Sequence, residues 1–199
     1  MDKYICVYSS SSNVVDKEYF VAARQLGTQM AQRGMGLIFG GGVVGLMGEM
    51  AKAVHDFGGK VIGVIPEALN QEGIVYEQCD ELIVTEGLRE RKALMDEKAE
   101  GFIALPGGFG TLEELLEIIT LKQLRYHNKP IVIFNVNGFY DGLIQLFENI
   151  IERRFAKVDC RDLYFVTQDV KEVLSYIENY VPRDCGPKWL TDIGDKNER

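Results

Sequence analysis

The chain has few residues of the kinds that bind metal ions. It contains four cysteines and two histidines, His55 and His127, and no two cysteines form a Cys-x-x-Cys pair of the kind that zinc sites use. The cysteines are Cys6, Cys79, Cys160 and Cys185. We therefore predict no metal site, and scattered thiols of this kind favour a reducing compartment.

Long apolar runs are also missing. No apolar run approaches the length of about 18 residues that a membrane-spanning helix needs. The segment from Met1 to Tyr8 lacks the extended apolar core of a secretory signal. These observations lead us to expect a cytoplasmic protein that has no membrane partner.

Basic residues are too few for a surface that follows a nucleic-acid backbone. The chain has 22 lysines and arginines against 30 aspartates and glutamates, which gives a formal net charge of -8. Binding to nucleic acid phosphates depends on clustered basic side chains, so we predict no nucleic-acid partner. A local glycine loop with one or two arginines can still bind a small phosphorylated molecule in such a protein.

Short apolar segments alternate with amphipathic ones along nearly the whole chain. The predicted strands cover residues 4–8, 36–39, 61–65, 81–85, 101–105, 130–134 and 163–167. The predicted helices cover residues 18–32, 46–57, 87–100, 142–153 and 169–180, with one more after residue 111. This order indicates an α/β protein with a Rossmann-like, doubly wound parallel sheet.

A chain of 199 residues is long enough for one core and marginal for two. We therefore expect a single domain over residues 1–181 and a polar tail over residues 182–199, which Trp189 and Leu190 dock onto it. Asp141 is placed to cap the helix over residues 142–153. A ligand crevice is expected at the carboxyl edge of the sheet, where the strand order reverses.

The most informative stretch is Leu105-Pro-Gly-Gly-Phe-Gly-Thr-Leu-Glu-Glu114, between a predicted strand and a predicted helix. Free amides at a helix N-terminus and the helix dipole favour an anion there. Thr111 and Glu114 also have the spacing of a capping box, in which the hydroxyl and the carboxylate satisfy the helix end. The sequence leaves the structural and the chemical interpretation of Glu114 equally open.

The third predicted helix carries two cations on an otherwise apolar stripe. Leu88 and Met95 belong to that stripe, and Arg91 and Lys92 lie between them. A local inconsistency of this kind tends to mark a functional site, and we favour that interpretation for Arg91. For Lys92, a functional role and a structural ion pair with Asp96, one turn further on, are equally good interpretations.

A second glycine motif, Gly40-Gly-Gly-Val-Val-Gly45, matches the Gly-x-Gly-x-x-Gly pattern of dinucleotide-binding loops. NAD or FAD binding is therefore a hypothesis, with Glu67 as the acidic residue about twenty positions on. Against it, the motif follows the second strand and not the first, and Glu67 comes directly after Pro66 in a turn. The serine-rich loop over residues 9–13 fits turn chemistry better than ligand contact.

Three stretches together resemble the LONELY GUY (LOG) family, whose members are also described as possible lysine decarboxylases. They are Gly40-Gly-Gly-Val-Val-Gly-Leu-Met-Gly48, Arg89-Glu-Arg-Lys-Ala-Leu-Met95 and Pro106-Gly-Gly-Phe-Gly-Thr-Leu-Glu-Glu114. The resemblance covers residues 4–180. One departure is the first loop, which has Tyr-Ser-Ser-Ser where many members have Cys-Gly-Ser-Ser.

The resemblance implies a cofactor-free hydrolase of cytokinin riboside 5′-monophosphates or AMP. Such an enzyme cleaves the N-glycosidic bond of its nucleotide substrate to free base and ribose 5-phosphate, and is typically a homodimer. The catalytic residues implied for this chain are Arg91 and Glu114. The implied substrate-binding residues are Lys92, Gly107, Gly108, Phe109, Gly110, Thr111, Thr120, Gly41, Gly42, Gly45 and Met95.

Two other functions remain as alternatives. The sequence also shows no obvious residue that could protonate the base as it leaves. A decarboxylase with pyridoxal phosphate on Lys92 is disfavoured, because Arg91 is its neighbour and nothing else in the chain suggests that cofactor. A non-catalytic carrier of a nucleotide or of molybdenum cofactor is compatible with the fold, since a structural relative of the family is such a carrier. His127 is a weak candidate for the acid that protonates the base, and a surface turn suits it better.

Overall fold

Seven short apolar segments form one sheet in the computed structural model, which describes residues 3–182. All neighbouring strands are parallel, in the order β4-β3-β2-β1-β5-β6-β7. The strands are β1 (Lys3–Tyr8), β2 (Met35–Phe39), β3 (Val61–Pro66), β4 (Glu81–Thr85), β5 (Gly101–Ala104), β6 (Ile131–Phe134) and β7 (Phe165–Thr167). The central strands are apolar on both faces, as a sheet covered by helices requires.

The described residues contain six α-helices, of which the first five lie in connections between strands and the sixth follows β7. They are α1 (Lys17–Gln32), α2 (Gly45–Asp56), α3 (Leu88–Lys98), α4 (Phe109–Gln123), α5 (Asp141–Glu152) and α6 (Val170–Glu178). The predicted elements are confirmed, with ends that differ by three residues or fewer. None of the helices within residues 3–182 combines the length and the apolar character needed to cross a bilayer.

The sheet separates two apolar cores. One core joins α1, α2 and α6 to side chains such as Ile5 and Val7 of β1. The other joins α3 and α4 to the alternate residues Cys6 and Tyr8 of the same strand. Successive side chains of a strand point to opposite faces, so one short apolar strand contributes to both layers.

The order of the strands reverses between β1 and β5. From β1 the chain adds β2, β3 and β4 on one side, then returns to β5 on the other side and continues to β7. The loops that follow β1 and β5 therefore diverge and leave a crevice between them, which is where ligands bind in open α/β sheets. The fold is the predicted Rossmann-like α/β domain.

One predicted helix cap is wrong. Helix α5 begins at Asp141 itself, Tyr140 occupies the capping position, and no side chain caps it. The Asp141 carboxylate instead accepts a hydrogen bond of 2.7 Å from the Asn135 amide, whose oxygen accepts one from the Tyr140 backbone N–H. The predicted contacts of Trp189 and Leu190 lie outside the described residues, and the boundary at residue 181 stays a prediction.

Candidate functional site

A cleft of about 660 Å³ opens at the carboxyl edge of the sheet, where the strand order reverses. Its walls come from the segments that follow β1, β2, β3 and β5, together with side chains of α3 and α4. A cavity of this size suits a ligand as large as a nucleotide. The two glycine motifs and the serine loop, which are far apart in sequence, all contribute to it.

The N-terminus of α4 faces this cleft. Residues 108–111 line it, Gly108 is the capping residue, and no side chain of the described part of the chain caps the first turn. Backbone N–H groups at such a helix end have no partner within the helix, and the dipole adds partial positive charge. The arrangement can bind an anion such as phosphate.

The capping-box interpretation of Thr111 and Glu114, one of the two that the sequence leaves open, is wrong. Helix α4 begins at Phe109, so Thr111 is already inside the first turn and Glu114 lies one turn beyond it. Glu114 is therefore available for a contact outside its own helix.

Gly107 does not line the cleft, and its contribution is to the turn before α4. A Cβ atom at this position would lie 2.1 Å from the Thr111 hydroxyl oxygen, which is far inside contact distance. The buried Thr111 side chain occupies that space. A glycine is needed here because the chain must turn closely around Thr111 into the helix.

Arg91 and Glu114 meet in the cleft, as a shared site requires. The Arg91 Nη2 donates a hydrogen bond of 3.0 Å to the Glu114 Oε1, and both side chains are largely buried and line the cleft. The Arg91 Nε donates a second one, of 3.1 Å, to the carbonyl of Val64 in β3. Arg91 comes from α3 and Glu114 from α4, so the pair depends on how these two helices pack.

Two opposing effects act on the Glu114 carboxyl group. Burial raises its pKa, and the positive charge of Arg91 opposes this rise without cancelling it. The net shift is upward from the ordinary value of 4.5. A carboxyl group with a raised pKa in a cleft is a candidate for proton transfer.

Lys92 turns away from the cleft and joins α3 to α4. Its ammonium group contacts Glu113 and lies 2.6 Å from Glu117. Burial lowers the pKa of Lys92, but hydrogen bonds to these two carboxylates outweigh it and the net shift is upward. Lys92 thus stays charged, whereas a Schiff base to pyridoxal phosphate needs a neutral amine.

The ion pair between Lys92 and Asp96, one of the two interpretations of Lys92 left open by the sequence, does not form. Asp96 instead contacts Lys129, whose ammonium group lies 3.5 Å from the Asp96 carboxylate. The prediction considered only neighbours one turn apart on the same helix. The two glutamates of α4 are closer to Lys92, because α3 and α4 pack side by side on the sheet.

The second glycine motif does not present a free anion site. The Gly45 N–H donates to the Asn13 side-chain oxygen at 2.7 Å, and the Leu46 N–H donates to the Ser10 carbonyl at 2.9 Å. The first turn of α2 is thereby occupied by the serine loop of the same chain. Glu67 lies exposed in a short 3₁₀ turn, so the dinucleotide hypothesis loses both its phosphate and its ribose contacts.

The serine loop does more than form a turn. The Ser10 hydroxyl accepts a hydrogen bond from the Ser12 N–H, as the predicted turn chemistry requires. Residues 9–12 also line the cleft, so the loop borders the ligand space. Turn chemistry therefore explains only part of the role of this loop, because the loop also lies against the ligand space.

Several residues implied by the resemblance lie outside the cleft lining. Gly42 lines the cleft, but Gly41 and Gly45 do not. Met95 is fully buried in the core beneath α3, and Thr120 is exposed about two and a half turns along α4 from Thr111. Their predicted roles in substrate binding stay predictions.

His127 also lies outside the cleft lining. Its Nε2 lies 3.0 Å from the Ile118 carbonyl oxygen, and its Nδ1 accepts from the Lys129 N–H. Burial lowers the pKa of His127 and favours the neutral ring. It therefore gives no acid to the cleft, and its place after the end of α4 agrees with the expected turn.

The sequence analysis missed the apolar wall of the cleft. This wall consists of Val44, Met47, Ile65, Leu69 and Ile74. Two of them belong to the polar stretch between β3 and β4, which a backbone bridge between Gly42 and Val75 holds against the cleft. Apolar residues without periodicity in a polar loop were the signal available in the sequence.

Solved structures with the same fold include two proteins described as binding molybdenum cofactor. The molybdenum cofactor carrier protein from Chlamydomonas reinhardtii has a TM-score of 0.68 and 22% identity, over 89% of this chain and 97% of that chain. The molybdenum cofactor binding protein from Rippkaea orientalis has a TM-score of 0.70 and 21% identity, over 89% and 96%. At these identities the likeness establishes the fold alone.

Comparison with related sequences identifies the family as well as the fold. Residues 47–177 match the family model described as "Possible lysine decarboxylase". The cytokinin riboside 5'-monophosphate phosphoribohydrolase LOG2 of Arabidopsis thaliana is 42% identical over 90% of this chain and 84% of its own length. The enzyme of the same description named LOG, from Oryza sativa subsp. japonica, is 42% identical over 93% and 77%. The chain belongs to the LOG family.

Proposed function

We propose that this protein hydrolyses the N-glycosidic bond of a nucleoside 5′-monophosphate, giving free base and ribose 5-phosphate. The substrate is a cytokinin riboside 5′-monophosphate or AMP. The observation that carries the proposal is the Arg91–Glu114 pair, which lies in the same cleft as the uncapped N-terminus of α4. Relatives named as phosphoribohydrolases, at 42% identity over most of the chain, support it.

The phosphate binds the amides at the start of α4, and this placement directs the sugar towards Glu114 one turn further along the helix. Hydrolysis joins a water oxygen to C1′ of the ribose while the bond from C1′ to the base nitrogen breaks. The bonding electrons leave with the base, which takes up a proton from solvent. Glu114 accepts the proton that the water loses and stabilises the positive charge that develops on the ribose.

Arg91 fixes the position of Glu114 and has further donors for the substrate. Its guanidinium group has five N–H bonds, of which one donates to Val64 and one to Glu114. The remaining donors suit ribose or phosphate oxygens, because a guanidinium presents its N–H groups in a fixed plane. Arg91 therefore stabilises both the catalytic carboxylate and the bound nucleotide.

The test is the release of base from a panel of nucleoside monophosphates, with the unphosphorylated nucleosides as controls. We expect Glu114→Gln and Arg91→Ala each to lower kcat/KM by at least ~10²-fold, the usual effect of losing one catalytic group. Glu97→Gln changes an exposed carboxylate of α3 outside the cleft and should leave the rate unchanged. Full activity in both site variants contradicts the assigned roles.

A non-catalytic carrier of a nucleotide or pterin gives a different result. Calorimetry would then detect tight binding, and chromatography of the same samples would find the ligand intact after long incubation. Such an outcome excludes the hydrolase. The likeness to molybdenum cofactor proteins concerns the fold only, so it does not favour the carrier over the hydrolase.

We also propose that the enzyme works as a cytoplasmic homodimer. Large apolar side chains are exposed on α4, at the residue that follows it and on α5, among them Leu116, Leu124 and Leu146. Thr120 shares the outer side of α4 and lies outside the cleft of its own chain. A substrate contact by Thr120 therefore calls for the cleft of a second copy, and equimolar mixing of Thr120→Ala with Glu114→Gln tests it by recovery of activity.

A further inference from the structure

The guanidinium group of Arg91 crosses the carboxyl end of β2 on its way to the cleft. It is held at two points, by the Val64 carbonyl of β3 and by the Glu114 carboxylate of α4. Between these points it passes over Gly40, the first residue after β2. A flexible side chain is thus fixed in one position across the ends of neighbouring strands.

The space that the guanidinium occupies exists only because Gly40 has no side chain. A Cβ atom built on Gly40 would lie 2.4 Å from Arg91 Nη2 and 3.2 Å from its Cζ. Nη2 is the same nitrogen that donates to Glu114. The backbone of Gly40 is not in the left-handed region, so the requirement for glycine comes from this close approach.

We propose that Gly40 is a positioning residue for the reaction, because its missing side chain leaves room for Arg91 between Val64 and Glu114. This inference rests on the proposed function of the cleft. Gly40 itself lines the cleft, and the role proposed for it is exerted through Arg91. It gives the first glycine of the Gly-x-Gly-x-x-Gly motif a role that is unrelated to dinucleotide phosphates.

An alanine at position 40 has a defined consequence. The far end of an arginine moves more easily than the backbone at the end of a buried strand, so the guanidinium shifts and its hydrogen bond to Glu114 breaks. Glu114 then loses the nearby charge that opposes the effect of burial on its pKa. The pKa of Glu114 rises further, and less of it is ionised at neutral pH.

The activity test compares Gly40→Ala with the wild type on AMP. We expect kcat to fall at least ~10-fold, with a smaller change in KM because the phosphate site at α4 is untouched. We also expect the acid limb of the pH profile to move to higher pH. Gly142→Ala, at an exposed helix position with open space around its Cβ, is the matched control and should keep wild-type kinetics.

A second measurement does not depend on activity. The urea midpoint of unfolding is compared for the wild type, Gly40→Ala, Arg91→Ala and the double variant. We expect Gly40→Ala to lower the midpoint in the wild type and to lower it much less in the Arg91→Ala background, where the clashing atoms are absent. If Gly40→Ala alone does not fold, folding of the double variant supports the same conclusion.

The two tests separate the two proposals. Equal midpoint shifts in both backgrounds, or an unchanged kcat and pH profile in Gly40→Ala, overturn the role of Gly40. Failure of the wild-type protein to cleave any nucleotide overturns the proposed function, while the unfolding comparison still decides whether Gly40 positions Arg91.

Discussion

At the scale of residues, Glu114 and Arg91 act as one unit. Both side chains are largely buried, and each supplies the charge that the other needs. Removing one partner leaves the other as a buried charge without compensation, which is costly. The pair therefore affects both the stability of the protein and the chemistry of the cleft. Substitutions at either position should be compared by their free energy of unfolding and by their activity.

The first prediction concerns the pH dependence of this pair. Burial raises the pKa of Glu114, so its carboxylate takes up a proton at a higher pH than an ordinary glutamate does. Because the proposed base must be ionised, kcat/KM should fall as the pH drops through a pKa above 4.5. Base release from AMP measured between about pH 4 and pH 8 checks this.

The substrate phosphate titrates in the same range, so a control is needed. Its second pKa, at about 6, is the same for every variant. If the acid limb of the pH profile reports Glu114, its midpoint shifts when Arg91 is replaced. If it reports the substrate phosphate, its midpoint stays at the same pH. An acid limb at or below 4.5, or one that no substitution moves, contradicts the assignment.

At the scale of elements, α3 and α4 determine the site. Arg91 and Lys92 are adjacent on α3, and both are bound by carboxylates of α4. Glu113 and Glu117 are substantially exposed, so we expect the contacts of Lys92 to contribute about 1 kcal/mol or less to stability. Their main effect is geometric, because they hold α3 in register with α4 and so place Arg91 against Glu114.

The second prediction concerns the N-terminus of α4. Gly108 has a φ of -86° and open space around its Cβ, so Gly108→Asp should fold without strain. Its carboxylate would cap the helix and stabilise the protein by about 1 kcal/mol. The same carboxylate would occupy the amides that the phosphate needs, and we expect the affinity for AMP to fall at least ~10-fold.

Gly108→Ala is the matched control for this experiment. It adds the same Cβ atom and no carboxylate, so it separates steric from electrostatic effects. Chemical denaturation measures the stability, and calorimetry of both variants in the Glu114→Gln background measures binding without turnover. Equal affinity of the Asp and Ala variants for AMP means that the phosphate binds elsewhere.

At the scale of the whole molecule, the layers on the two sides of the sheet differ in their function. Helices α3 and α4 carry Arg91 and Glu114, the proposed catalytic pair, and together with α5 they form one outer layer. Helices α1, α2 and α6 cover the other face. A second copy that docks on α4 and α5 would pack against the layer that carries Arg91 and Glu114 and leave the opposite layer exposed.

The third prediction tests this arrangement. Sedimentation should give twice the chain mass of 22.4 kDa. Leu146 on α5 and Val21 on α1 are both 53% exposed, on opposite sides of the sheet. Leu146→Glu should therefore shift the protein towards the monomer, while Val21→Glu should not. A dimer unaffected by Leu146→Glu but disrupted by Val21→Glu places the interface on the other layer.

The sequence by itself determined the elements and the fold class. Apolar runs such as residues 131–134 form buried strands because only a sheet covered on both faces removes them from water. Glycines between a strand and a helix predicted the turn into α4, because the conformational freedom of glycine is a property of the residue itself. The family motifs predicted Arg91 and Glu114 as site residues. The capping-box spacing left a purely structural role for Glu114 open, and the start of α4 at Phe109 excludes that role.

Only the tertiary structure decided which side chains meet. Arg91 and Glu114 are 23 positions apart, Lys92 binds two glutamates of another helix, and Gly40 touches Arg91 across the ends of two strands. Each contact follows from the strand order, which places α3 beside α4 and places β2 and β3 beneath Arg91. Propensity and periodicity act over a few neighbouring residues, whereas these contacts depend on the packing of distant elements, so no local pattern predicts them.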